Sequence, residues 1–267
     1  MNSFAEYILS EEDFDKKIEI AYYLQKKTGI FLDNTVLFKT VITKLFIETM
    51  DLDVDKNMLI TASLLYACKK VNDFQDIEKV KTYAKESADY LIKLGFSKEF
   101  CKICEQHNRY SGELRREKEA DILELVDQFG GMMLDRPERR GFPADEALVL
   151  LEHRNLKNQY NRYLNTFMEF VDFMEKIQMS DLVNMPALRR LVKIYNETEE
   201  LTKFIQKVVY EFEPKIDELI AKQNKEALKE MFSKVESSNR PLFSEETTRK
   251  IMAHIHDDPK IEIRNEK

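Results

Sequence analysis

Glycine and proline are scarce, six of each in 267 residues, so the chain has few residues that make turns or stop helices. That scarcity excludes a turn-rich sheet protein, and the abundant Glu, Lys and Leu between the breakers predict an all-alpha fold of helices joined by short loops. Cysteine numbers only three, Cys68, Cys101 and Cys104. Cys101 and Cys104 have the spacing of half a zinc knuckle, but with no second such pair they read as small reduced side chains on one helical face. Basic charge is also in deficit, 42 residues against 49 acidic for a net −7, which disfavours a non-specific grip on nucleic acid. No run of eighteen apolar residues occurs, and the first residues lack a basic stretch followed by an apolar one. A cytoplasmic location without membrane insertion is therefore expected.

What is present is mostly helical periodicity. Ser10, Glu11, Glu12 and Asp13 open a segment that Ser10 can cap and Gly29 can stop, giving an N-terminal helical extension over 1–30. A helix over 35–50 carries Val36, Val41, Leu45, Phe46 and Met50, and a more deeply buried one follows over 54–68. Residues 76–94 form an amphipathic helix ended by Gly95, and Ser97 caps the next, with Phe100, Ile103, Cys104 and His107 at successive turns. The polar stretch 108–118 interrupts the pattern, and a pocket is expected beside it. Pro143 starts another helix in a position proline tolerates. The aromatic run over 160–174 reads as core packing rather than a cofactor box. Beyond Pro186 the pattern is periodic to about Ile220, and Ala227 to Phe232 and a short segment from Ser244 complete a C-terminal helical extension and tail over 177–267. His254 and His256 near the close read as solvated surface residues rather than metal ligands.

The most informative stretch sets Asp127 among Ile122, Leu123, Leu125, Val126 and Phe129. A carboxylate on an apolar helix face costs desolvation, so Asp127 is expected to accept hydrogen bonds in a local network or to pair with His107. The following Asp135, Arg136 and Pro137 read as an architectural turn, in which Arg136 satisfies a carboxylate or a helix-end carbonyl and Pro137 restricts the exit. Arg109, Arg115 and Arg116 are candidate phosphate or ligand contacts, with Glu113, Glu117 and Glu119 offering simpler salt bridges.

Three blocks carry a resemblance: Ile122-Leu-x-x-Val-Asp127-x-Phe129, then Asp135-Arg136-Pro137-x-Arg139, then Glu146-Ala147-Leu148. In motif and spacing they resemble the HD-GYP phosphodiesterases, and the similarity extends over about half the chain. The resemblance implies an HD-domain-like helical bundle over 31–176. In active members of that family, histidines and aspartates from several helices hold iron or manganese, which binds the phosphate of cyclic di-GMP and activates water. Here Asp127 matches the late metal aspartate and His107 one of the histidines, while Tyr66 and Ala67 stand at the His-Asp pair. The first ligand falls near Leu37 or Phe38, the position near Tyr83 has no histidine, and none precedes His107. The family's His-His-Glu, aspartate-glycine and Gly-Tyr-Pro pattern stands here as Gln106 to Arg115, with the Gly-Tyr-Pro segment gone, and Gly130 and Gly131 replace the usual Asp-Ala.

The resulting expectation is a noncatalytic signalling or protein-interaction module with no favoured cofactor, in which His107 and Asp127 are vestiges of a metal site. The alternatives are a divergent phosphohydrolase using iron or manganese, and a cyclic-dinucleotide-binding protein. A protein partner or a homo-oligomer joined through the periodic C-terminal segment would account for its apolar face.

Overall fold

The computed structural model describes residues 4–70, 77–108, 116–137, 139–158, 161–179, 184–214 and 217. Its elements are α1 (Phe4–Ser10), α2 (Phe14–Thr28), α3 (Asn34–Thr49), α4 (Lys56–Leu65), α5 (Ile77–Lys93), α6 (Lys98–Gln106), α7 (Lys118–Met133), α8 (Ala144–Asn158), α9 (Leu164–Lys176), α10 (Ala187–Asn196) and α11 (Leu201–Lys207), followed by a π-helical turn, Val208–Phe212. Among the described residues there is no strand, only two isolated bridges, so the all-alpha class holds. None of the described helices is long and apolar enough to cross a membrane.

The fold is organised around α3. Every residue from Val36 to Ile47 is buried, because α4, α7, α9, α10 and α11 all pack against it. A helix covered on all sides must give each polar side chain a partner inside the protein. Thr40 and Thr43 donate to the carbonyls of Val36 and Lys39, and both hydroxyls lie 3.1 Å from Ser63 on α4. Lys44 pairs with Glu48 at 3.3 Å and with Glu213, beyond the π-helical turn, at 3.0 Å. Lys39 reaches Asp127 on α7. These bonds fix the rotation of α3 against its neighbours more tightly than apolar contact alone would.

Local signals set most helix ends. Asp33, Asp55 and Ser97 accept backbone N–H bonds as N-caps of α3, α4 and α6, and Gly29 closes α2 in the left-handed region at φ 63°. The cap of α2 is Asp13, accepting from the Lys16 amide at 3.0 Å, and not Ser10. Ser10 instead ends α1 and donates to the Tyr7 carbonyl. The helix expected over 54–68 is shorter, Lys56–Leu65, and Tyr66 to Lys69 form a turn. The periodic segment after Pro186 is divided between α10 and α11, with a break at 197–200. The expected helical segments around Ala227 and Ser244, together with His254 and His256, lie outside the described residues.

One hydrophobic cluster runs from Ala5 to Phe212, and the boundaries expected at 30/31 and 176/177 fall within it. At its centre Phe46, Phe129, Phe167 and Phe170 make edge or tilted ring contacts, with the aromatic run of α9 serving as core. Buried Lys17 ties α1 to α4, its ammonium donating to the Ile8 carbonyl at 2.5 Å and to Thr61 Oγ1 at 2.8 Å. Burial pulls its pKa down to about 8.

The corner between α7 and α8 depends on glycine. A Cβ on Gly141 would lie 1.9 Å from the Met133 carbonyl oxygen and 2.6 Å from its carbon, and backbone cannot yield as a side chain can. Gly141→Ala is expected to lower the unfolding free energy in urea titration by on the order of 3 kcal/mol, through displacement of the corner; a change within experimental error would contradict this packing.

Candidate functional site

Asp127 and His107, the two candidates for a vestigial site, lie in one buried network where α3, α4, α5, α6 and α7 meet. They are not hydrogen-bonded to each other. Asp127 Oδ1 accepts from Lys39 Nζ and from the Tyr66 hydroxyl, each at 2.6 Å. These are short, charge-assisted bonds. Burial raises the carboxyl's pKa, but the Lys39 and Lys70 ammonium groups outweigh it and hold Asp127 well below the usual carboxylate range. Burial and the neighbouring Asp127 charge push the Tyr66 phenol far above its ordinary value, so Tyr66 remains a donor.

The tautomer of His107 follows from its contacts. Its Nδ1 lies 2.6 Å from the Cys104 carbonyl, which can only accept, so Nδ1 carries the proton. Nε2 is then an acceptor, and the Tyr83 hydroxyl, 2.9 Å away, donates to it. Edge packing of Tyr66 on the imidazole, with centroids 4.4 Å apart, completes the enclosure. Burial pulls the His107 pKa down to about 4 against the opposing pull of Asp127. His107 is a neutral structural imidazole near neutral pH.

Gly130 makes room for this arrangement. A Cβ there would stand 2.8 Å from Lys39 Cγ and 3.6 Å from the Phe38 ring, so the aliphatic stem of Lys39 lies across the glycine face of α7. Lys70 stands at the edge of the network, its ammonium 5.4 Å from the Tyr83 ring centroid. Burial and the nearby charge of Lys39 pull its pKa down to about 8, with Arg136 acting in the same direction and Asp127 against it.

These residues do not fit an iron or manganese centre. An octahedral cation needs several ligands, yet the His107 Nε2 lone pair accepts from Tyr83 and Asp127 Oδ1 already holds an ammonium and a phenol, which leaves Asp127 Oδ2 as a single ligand atom. Among the described residues no group of three or more His, Cys, Asp or Glu side chains is placed to hold a metal ion. Cys101 and Cys104 are buried on α6, and burial pushes both thiols upward, Cys101 to about 11.

The remaining candidates lie elsewhere. Arg116, almost fully enclosed, pairs with Asp121 at 3.3 Å and Glu124 at 2.5 Å and donates to the Ala120 carbonyl. Arg109 and Arg115 lie outside the described residues. Asp135 accepts from the Gly141 amide at 2.7 Å, and Arg136 and Arg139 exchange backbone hydrogen bonds around Pro137. At the same helix end the Arg139 guanidinium donates to the carbonyls of Gly131 and Met132 and stacks on Phe142, while the Arg136 guanidinium lies against Gly131, 3.0 Å from where a Cβ would stand. The bridge at 136–139 turns the Arg139 side chain back beneath α7.

Sequence reasoning missed Lys39, Lys70 and the hydroxyls of Tyr66 and Tyr83 as members of the network. One signal was available: a lysine at position 39, inside the apolar run Val36 to Ile47, needs an anion, and Asp127 is a carboxylate in the comparably apolar α7. Compared with protein-family models, with curated proteins and with solved structures, the chain matches none.

Two outcomes follow from this geometry. Lys39→Met leaves the Asp127 charge without its main partner and is expected to cost about 3 kcal/mol, most of which Lys39→Met combined with Asp127→Leu restores; equal, additive losses in a double-mutant cycle would show that the pair is not coupled. For His107 the folded pKa lies below the unfolded value, so the unfolded chain binds more protons between about pH 6.5 and 4 and stability falls as pH drops through that window. Wild type is expected to lose on the order of 3 kcal/mol more than His107→Gln between pH ~7 and ~4 in chemical denaturation. Parallel pH profiles would contradict the neutral, buried imidazole.

Proposed function

We propose that this chain is a noncatalytic signalling or protein-interaction module on a degenerate HD-GYP-like helical bundle. The observation that carries the reading is the Lys39 ammonium seated on Asp127, with the Tyr66 hydroxyl on the same oxygen. If Asp127 descends from a metal ligand, as the motif around it suggests, a fixed cation of the protein now supplies the positive charge. An ammonium neutralises a carboxylate, but it brings no open coordination position and cannot lower the pKa of a bound water as a divalent ion does. The same bundle can then serve as a scaffold whose surfaces, rather than a reaction, provide the output.

A second reading, binding of a cyclic dinucleotide or a similar phosphate without turnover, is favoured by one feature. The Lys39 and Lys70 ammonium groups both bear on the carboxylate of Asp127, and Lys70, whose other acidic neighbour is Asp33, stands at the edge of the network. Phosphate oxygens are suited to such a cluster.

The deciding experiment measures metal content in protein purified without chelators, then cyclic di-GMP hydrolysis and binding before and after loading with iron or manganese. The expected result is no near-stoichiometric metal and no turnover. Binding without hydrolysis that is lost in Lys70→Ala would select the second reading. Stoichiometric metal with hydrolysis abolished by Asp127→Asn would overturn both.

A further inference from the structure

An apolar surface cleft lies beside α2. It has a volume of about 530 Å³ and runs between α2 and α11 with its π-helical turn, and Ile18, Tyr22, Ile205 and Val209 form its floor. Tyr23 and Tyr210 stand on its rims, 61% and 85% exposed. Large aromatic rings left in water beside an apolar cleft are characteristic of interaction surfaces.

Charge along this face is ordered. On α2 the positions Asp15, Glu19, Tyr22 and Lys26 are spaced four, three and four residues apart, so they form one stripe, acidic toward the helix N-terminus and basic toward its C-terminus. At the basic end the Lys26 and Lys27 ammonium groups rest over their own helix's Tyr22 and Tyr23 rings, at 4.6 and 5.4 Å from the centroids.

A stripe that reads acid, aromatic, base is complementary to itself only when reversed. In a parallel copy Glu19 would meet Glu19, whereas in an antiparallel copy each acidic end meets a basic one and the helix dipoles also oppose. We propose that a second copy of this chain docks on this face, its α2 antiparallel to the first about a twofold axis passing near Tyr22 and Tyr23, so that each Lys26 faces the other copy's Glu19. The tyrosines pack at the centre of the interface and the charges fix its direction. This deepens the interaction-module reading by naming the partner, and it can fail without it: turnover with bound metal would remove the module reading and leave the dimer intact.

The test is analytical ultracentrifugation of the full chain with paired charge reversals at Glu19 and Lys26, both exposed residues whose exchange leaves the core untouched. Wild type is expected to dimerise at concentrations up to ~100 μM, Glu19→Lys and Lys26→Glu each to weaken the dimer about tenfold or more, and the double reversal to restore it. Helical circular dichroism should be the same in all four proteins. A monomeric wild type at that concentration would overturn the proposal and leave the cleft to residues 218–267 or to a different protein. A dimer indifferent to the single reversals, or not restored by the double, would equally overturn it.

Discussion

The contact between Lys39 and Asp127 is the constraint on which the centre of this molecule depends. Helix α3 is covered on every side, so an ammonium on its surface cannot reach bulk water and must find its anion within the bundle. Asp127 provides it from α7, with 21% of its side chain still exposed. The glycine at position 130 allows the two helices to approach over the lysine stem, since any larger residue would collide with it. Helix approach, lysine position and carboxylate charge are therefore a single arrangement. Such a pair contributes less to net stability than its Coulomb attraction suggests, because both groups lose hydration, but losing either partner alone is costly. It acts chiefly to specify one packing of α3 against α7.

The protonation pattern around the pair follows from that charge. A permanently ionised Asp127 makes Tyr66 a donor, and the enclosed carbonyl of Cys104 makes His107 carry its proton on Nδ1, which in turn makes Tyr83 a donor to Nε2. The Nε2 lone pair of His107 and the Oδ1 atom of Asp127 each accept a hydrogen in this arrangement. The chain keeps an imidazole and a carboxylate near each other while using them for structure, and a neutral histidine buried in this way becomes a liability when the solution turns acidic.

How much of this was legible in the sequence depended on distance along the chain. Gly29, Gly95 and Ser97 end or begin helices through bonds to residues within a few positions, and each was readable. Asp13 displaced Ser10 as a cap because two short helices stand where one was expected, a difference of only a few residues that periodicity does not resolve. The network was harder. Asp127 was identifiable as a costly carboxylate, but its partner lies 88 residues away and the lysine that fills the role has no motif. His107 is buried at the C-terminal cap of α6, and its Nε2 partner is a tyrosine hydroxyl rather than the aspartate. The bonds from Arg139 to the end of α7 were not foreseen, because the backbone bridge that carries its guanidinium there is turn geometry set by the fold rather than by composition.

The most direct measurement of the central claim is the titration of the Asp127 side-chain carboxyl carbon by NMR in specifically labelled protein. If the Lys39 ammonium holds this carboxylate, its resonance will stay at the ionised position as pH is lowered past the ordinary aspartate value of 3.8, and Lys39→Met will raise the midpoint. A wild-type midpoint at or above 3.8, unchanged by the loss of Lys39, would contradict the account.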